Sequence, residues 1–172
     1  CLARSGLKEF KIDVGHAGFI RGLMEESGFS AEEIQEYKRL IANKNSFGVE
    51  EMIEKKDLSS RLKELLIRLP DLFGAEETLA YARERVSHPL ALEALQRLET
   101  VQEILGIYGL EESVTFDLSM LSHYDYYTGI IFKAYTYGTG EAIVTGGRYD
   151  RLIEQFGKKS PAVGLAIVLD QL

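Results

Sequence analysis

Two short segments combine residue types that suit binding of a small polar ligand. The first is Asp125-Tyr126-Tyr127-Thr128-Gly129-Ile130-Ile131-Phe132. Its apolar tail reads as a strand, and adjacent tyrosines at a strand's start point to opposite faces, so at least one projects into any cleft there. A phenol stacks on a planar ligand, and its hydroxyl both donates and accepts hydrogen bonds. The second segment is Gly146-Gly147-Arg148-Tyr149-Asp150. Paired glycines after a strand let the backbone approach a ligand, or another strand, with no Cβ between. The guanidinium of Arg148 has the shape to grip a carboxylate bidentately. Taken singly, each segment also has a plainer reading: strand tyrosines that pack, and a tight turn in which Arg148 pairs with Asp150 or Asp125.

Other reactive side chains are sparse. His16 follows a strand, His88 precedes Pro89 at a helix start, and His123 sits beside the tyrosines. No two of them have metal-ligand spacing, so no metal is expected. A surface or capping role is expected for His123, with lining of the cleft as the alternative. The single cysteine, Cys1, allows no disulfide within the chain and no Cys-based metal site, which points to a reducing cytoplasm.

The elements that must position these segments fall into three zones by periodicity. Phe10 to Val14 alternates and reads as a strand ended by Gly15, and His16 to Glu26 resumes at helical spacing. From Gly28 to Val86 the chain reads as short helices without strands. Ser30 with Glu33 forms a capping box, Ser46 and Asp57 stand as caps ahead of apolar stripes, and Glu76 to Val86 follows the break at Pro70 and Gly74. Pro89 to Tyr108 reads as a long helix buried along Leu92, Leu95, Leu98, Val101, Ile104 and Leu105, ended by Gly109. Strands are then expected at Val114–Leu118, Gly129–Tyr137 and Ala142–Thr145, the last two joined by a hairpin loop at Gly138-Thr139-Gly140. Arg148–Gly157 and Ala162–Leu172 read as helices, the latter introduced by Pro161.

Composition sets outer bounds. A chain of 172 residues that is 45% hydrophobic and 27% charged has the make-up of one ordinary globular domain, with room for a small insert. Its net charge of −7 is spread evenly, with −4 on the first 110 residues and −3 on the remainder, so no basic domain is hidden and nucleic acid is not expected as a partner. No apolar run approaches a membrane span, and Cys1 to Gly6 lack the apolar core of a signal peptide. Because the chain opens on Cys1 in what reads as the end of a helix, it is expected to be a piece of a longer protein with part of its site upstream.

Read in order, the two segments and the later Pro161-Ala162-Val163-Gly164-Leu165-Ala166 resemble the histidyl-tRNA synthetase family. That family carries an R-G-L-D-Y-Y-T-G-like histidine-binding segment, a G-G-R-Y-D turn, and then motif 3 of class II synthetases, of the form A-V-G-F-A-x-G-x-E-R. The clear similarity runs from about Phe116 to Leu172, and the region near Phe10 to Leu23 fits the same core more loosely. The resemblance implies an α+β fold: an antiparallel sheet of class II synthetase type, with residues 1–27 and 87–172 forming the C-terminal half of the core and 28–86 a helical insert. It implies that Tyr126 and Tyr127 line a histidine pocket, that Tyr149 contacts the imidazole side, and that the backbone at Gly146, Gly147 and Gly164 forms the walls. Arg148 is read as a structural pairing residue.

The departures from the family pattern are equally informative. The synthetases place an arginine three positions before Asp125, where it acts on the ATP α-phosphate and the histidine carboxylate; here that position is Ser122, followed by His123 and Tyr124. The closing arginine of motif 3 is Gln171, with Val168 and Asp170 in place of its glycine and glutamate. Adenylation builds negative charge on the α-phosphate, and one well-placed donor lowers such a barrier by about 3 kcal/mol. Neutral Ser122 and Gln171 supply no such cation. A retained histidine pocket without an ATP clamp is similar to the regulatory subunits of ATP phosphoribosyltransferase, which are built on the synthetase core. That resemblance implies a non-catalytic, cofactor-free, histidine-sensing role, a short-form ATP phosphoribosyltransferase catalytic subunit as partner, and a homo-oligomer within a hetero-oligomer. A divergent histidyl-tRNA synthetase is the alternative; a synthetase-like domain of a sensor of uncharged tRNA is a third reading, which the acidic balance opposes.

Overall fold

The computed structural model describes residues 6–7, 9–121 and 126–171. Strand β1 (Phe10–His16) runs straight into helix α1 (Ala17–Ser27). Gly15 does not end β1. A Cβ there would stand 2.8 Å from the Asp117 carbonyl oxygen and 2.9 Å from the Met120 Cβ, so the glycine is needed for close approach and the strand continues through it. His16, the last strand residue, caps α1 by accepting the Gly18 N–H at Nδ1, 3.1 Å away. Gly28, at φ 65°, closes that helix in the left-handed conformation.

Four short helices follow: α2 (Ala31–Ala42), α3 (Ser46–Glu54), α4 (Ser60–Arg68) and α5 (Glu76–Arg83). The capping box is present: Ser30 Oγ accepts from Glu33 N and Glu33 Oε2 accepts from Ser30 N. The other two caps are neighbours of those expected. Asn45 rather than Ser46 caps α3 through Oδ1, and Ser59 rather than Asp57 caps α4 through Oγ. Asn and Ser cap as well as the residues they replace, and periodicity locates a helix start only to within a turn. This zone also contains one strand that was not expected, the two-residue β2 (Phe73–Gly74), too short to show any alternation. Helix α5 stops at Arg83, short of Val86.

Helix α6 (Pro89–Tyr108) has the expected limits, opened by His88 as cap and Pro89 and closed by Gly109 at φ 62°. Strands β3 (Val114–Asp117), β4 (Ile130–Thr136), β5 (Val144–Arg148) and β6 (Val163–Ile167) complete the chain. Two expected helices are corrected. Between Arg148 and Gly157 only a short 3-10 turn forms, Ile153–Phe156, and most of Ala162–Leu172 is β6 followed by a second such turn, Leu169–Gln171. A short apolar run such as Val163-Gly164-Leu165-Ala166-Ile167 fits either structure by periodicity; the ladder to β5 decides it, pairing Gly147 with Gly164 and Val144 with Ile167.

The six strands form one sheet in the order β2-β3-β1-β4-β5-β6. All neighbours are antiparallel except β1 and β3, which are parallel. A parallel pair needs a crossover, and here α1 to α6 and β2 supply it. The helices cover one face. Val14 and Phe116, with Ile12, Ile130 and Phe132 against them, join Phe19, Leu23, Leu95 and Leu98 in a core that continues without a break through Tyr37, Ile41, Ile53 and Leu65. The opposite face stays polar: Asp13, Thr115, Asp117, Lys133 and Tyr135 are half-buried and Thr145 is exposed. That open face is the place for a site.

Candidate functional site

The two segments singled out by residue type meet at the β4–β5–β6 end of the sheet. Thr128 N donates to the Arg148 carbonyl at 2.8 Å, which fastens the start of β4 to the end of β5. Tyr149 N donates to the Ala162 carbonyl at 2.8 Å, which fastens the chain after β5 to the start of β6. These bonds bring three phenol rings together. Tyr126 and Tyr127 have centroids 4.7 Å apart, Tyr126 meets Tyr149 edge-on at 5.7 Å and 82°, and Tyr127 lies 6.4 Å from Tyr149.

The glycines beneath the rings are there because nothing larger fits. A Cβ at Gly147 would stand 2.7 Å from the Tyr127 ring, and one at Gly164 would collide with the Tyr149 hydroxyl and come within 3.1 Å of its ring carbons. Gly147 and Gly164 are direct partners across β5 and β6, so both tyrosines lie over one patch of bare backbone. Gly146 points the other way. A Cβ there would come 2.5 Å from Phe132, on the face covered by helices, and 2.9 Å from the Leu165 Cβ. Five of the six candidate residues therefore converge on the open face, and Gly146 contributes only backbone.

Arg148 is engaged in structure. Its Nε donates to both Asp150 oxygens at 2.9 and 3.0 Å, and Thr128 Oγ1 donates to Asp150 Oδ2 at 3.0 Å. Partial burial pushes the Asp150 carboxyl up, but the hydrogen bonds from Arg148 and Thr128 outweigh it and hold the group below the ordinary carboxylate range. Arg148 also lies along Gly129, where a Cβ would meet its Cδ at 3.0 Å. The linkage Thr128–Asp150–Arg148 locks the two tyrosine-bearing segments in register.

Around the site, His16 is half-buried and neutral. Burial and then the nearby Arg97, Arg148 and Arg21 push its pKa down to about 4. A groove of about 850 Å³ opens beside Tyr127, floored by Ile20, Met24, Phe29, Met120 and Leu121 and edged by Arg21 and Lys38. Sequence reasoning missed the polar row of Asp13 and Lys133 on the same sheet face. The alternation of Phe10 to Val14 was the available signal: with Ile12 and Val14 inward, Asp13 must face the other side. Ser122, His123, Tyr124 and Asp125 lie outside the described residues. Among the described residues, no group of three His, Cys, Asp or Glu side chains is placed to hold a metal ion, and no helix is long and apolar enough to cross a membrane.

Residues 1–172 match the family described as histidyl-tRNA synthetase. The ATP phosphoribosyltransferase regulatory subunit of Acetivibrio thermocellus is 40% identical over 168 residues, which are 98% of this chain and 40% of that protein. Among solved structures, an ATP phosphoribosyltransferase regulatory subunit/histidyl-tRNA synthetase from Bacillus halodurans superposes with a TM-score of 0.87 at 33% identity, covering 98% of this chain and 45% of that one. The ATP phosphoribosyl transferase (HisG:HisZ) complex from Thermotoga maritima shares the fold, with a TM-score of 0.71 at 22% identity over 97% of this chain and 56% of that one. The chain spans about 40% of the length of the curated relatives it matches. The sheet flanked by helices is thus the class II synthetase-like fold, differing from a wholly antiparallel sheet only at β1–β3. The chain belongs to the histidyl-tRNA synthetase family, within which it resembles the regulatory subunits of ATP phosphoribosyltransferase.

Proposed function

We propose that the chain serves a regulatory subunit of ATP phosphoribosyltransferase, in histidine biosynthesis, and that it senses histidine instead of activating it. The observation that carries this reading is the triad of Tyr126, Tyr127 and Tyr149 gathered over Gly147 and Gly164. Such a site stacks on and hydrogen-bonds a small planar ring. The names of the relatives support the regulatory role, and the sequence supports the loss of adenylation: Ser122 and Gln171 replace the arginines with which the synthetases hold ATP. In this reading 28–86 is a helical insert between two parts of the core, 1–27 and 87–172. The protein works in the cytoplasm, as a homo-oligomer within a hetero-oligomer that contains the short-form catalytic subunit.

Histidine regulates that partner only by binding one state of the assembly better than the other; equal affinity for both shifts nothing. The test uses the full-length protein with a short ATP phosphoribosyltransferase. Adding it is expected to change the partner's rate and to make that rate sensitive to histidine. The protein with ATP and histidine is expected to release no pyrophosphate at a synthetase-like rate. An unchanged partner rejects the regulatory reading, and pyrophosphate release at that rate favours a divergent histidyl-tRNA synthetase.

A further inference from the structure

Helices α1 and α2 follow one another through the turn at Gly28 and Phe29, yet a groove of about 850 Å³ separates their facing sides. Each helix is held from behind. A Cβ at Gly22 of α1 would stand 2.6 Å from the Ala91 nitrogen of α6, so these two helices are in close contact. Tyr37 of α2 donates its hydroxyl to the Leu66 carbonyl of α4. On the groove side, α1 presents Ala17, Ile20 and Met24 and α2 presents Ile34 and Lys38, each set at the spacing of one helix face. Helices of 11 and 12 residues are about 16 and 18 Å long, so the groove runs for two to three turns.

The floor of this groove is apolar and its edges are positive. Arg21 lines it from α1 and Lys38 from α2, and neither makes a hydrogen bond or close ion pair with any described residue. The other charges there are engaged. Arg39 donates from Nε and Nη2 to Glu36 at 2.8 and 2.6 Å, and Glu25 stands 3.3 Å from His88 Nε2. Two uncommitted cations on opposite walls, on a chain whose net charge is −7, complement an acidic partner. The far end of the groove reaches Tyr127, whose ring also meets Tyr126 and lies against Gly147.

We infer that this groove seats an acidic amphipathic helix of the catalytic partner. Two helix walls with an apolar floor take the apolar stripe of a third helix, and Arg21 and Lys38 meet the acids on its flanks. The inference rests on the regulatory reading and adds to it the surface through which the regulation passes. Tyr127 makes the groove a better seat for the partner than for a second copy. A ligand among the tyrosines bears on the same ring that a helix in the groove touches, so each binding event alters the other's free energy.

The experiment titrates the full-length protein against a short ATP phosphoribosyltransferase by calorimetry, at low and at moderate salt, with sedimentation velocity to count subunits. It compares the parent, the groove pair Arg21→Glu with Lys38→Glu, Ile34→Gln on the floor, and a control pair on α4, Arg61→Glu with Lys63→Glu. The control makes the same change in net charge outside the groove. The groove pair is expected to weaken the complex by about tenfold or more and to flatten its salt dependence. Ile34→Gln is expected to weaken it at both salt concentrations, and the control pair to leave it within about twofold. Equal weakening by groove and control pairs would reduce the effect to overall charge and overturn the inference. A complex that resists both groove variants would also overturn it, with the regulatory reading intact. Loss of the free protein's self-association in the groove pair, with the complex unchanged, would put a second copy in the groove instead. If the parent forms no complex at all, the regulatory reading itself falls and takes the inference with it.

Discussion

The Tyr127 ring lies against the backbone of Gly147, so closely that a Cβ at that glycine would stand 2.7 Å from two ring carbons. The Ile130 carbonyl oxygen, which is backbone and cannot swing away, stands 2.8 Å from the same point. Gly147→Ala must therefore move the ring. Overpacking of this kind costs about 1–3 kcal/mol. The variant is expected to stay folded with a lowered melting temperature and to lose histidine binding by about tenfold or more, as read by calorimetry. Normal affinity in Gly147→Ala would remove Tyr127 from the binding site.

Tyr37 provides a test of the helical zone. Its hydroxyl donates to the Leu66 carbonyl at 2.7 Å with the side chain fully buried, and it ties α2 to α4. That carbonyl belongs to the last turn of α4, where no partner exists within the helix. Tyr37→Phe leaves it unpaired at a cost of about 1–3 kcal/mol. Urea unfolding is expected to show a lower midpoint with an unchanged slope. An unshifted midpoint would mean that the bond adds nothing net.

How far these features were legible in the sequence varies with the range of the interactions that set them. Helix α6 was readable to the residue because Pro89 and Gly109 punctuate it locally. The pair Asp150 and Arg148 was readable as one of two options, since the residues lie in one turn. Strand β6 was not: Val163 to Ile167 are all apolar or glycine, and only the ladder to β5 makes them extended. The tyrosine triad was readable from the resemblance alone, because Tyr149 reaches Tyr126 through a β4–β5 pairing that no local pattern encodes. Gly146 is read, like Gly147, as a backbone wall of the pocket, and strand alternation points the place of its missing side chain toward Phe132.

Asp150 links site geometry to acid stability. Its folded pKa lies below the ordinary carboxylate range: burial opposes ionisation, and the bonds from Arg148 and Thr128 prevail. A depressed carboxyl contributes stability in full above the unfolded value of about 3.9. The contribution is lost as pH falls from there through the lower folded value. Asp150→Asn is expected to lower the melting temperature near neutral pH and to show a smaller further drop below pH of about 4 than the parent protein. Parallel melting curves across that acid range would show that the pair does not couple to folding.

His16 acts at higher pH. It caps α1 with a lone pair at Nδ1, which must stay unprotonated to accept the Gly18 N–H. Burial, with Arg97, Arg148 and Arg21 nearby, holds its pKa at about 4, against 6.5 for a free histidine. The neutral ring thus contributes fully above 6.5, and the contribution falls away as pH drops from 6.5 to about 4. The whole effect is on the order of 3 kcal/mol. His16→Asn keeps a side-chain acceptor at the cap but has nothing to titrate. The parent protein is expected to lose melting temperature steadily across that window while His16→Asn loses much less. Equal losses in both would mean that the histidine is free to protonate without breaking its cap, and that the helix start beside the tyrosine site is held by the β1–β4 ladder and the Ala17 N–H to the Gly129 carbonyl.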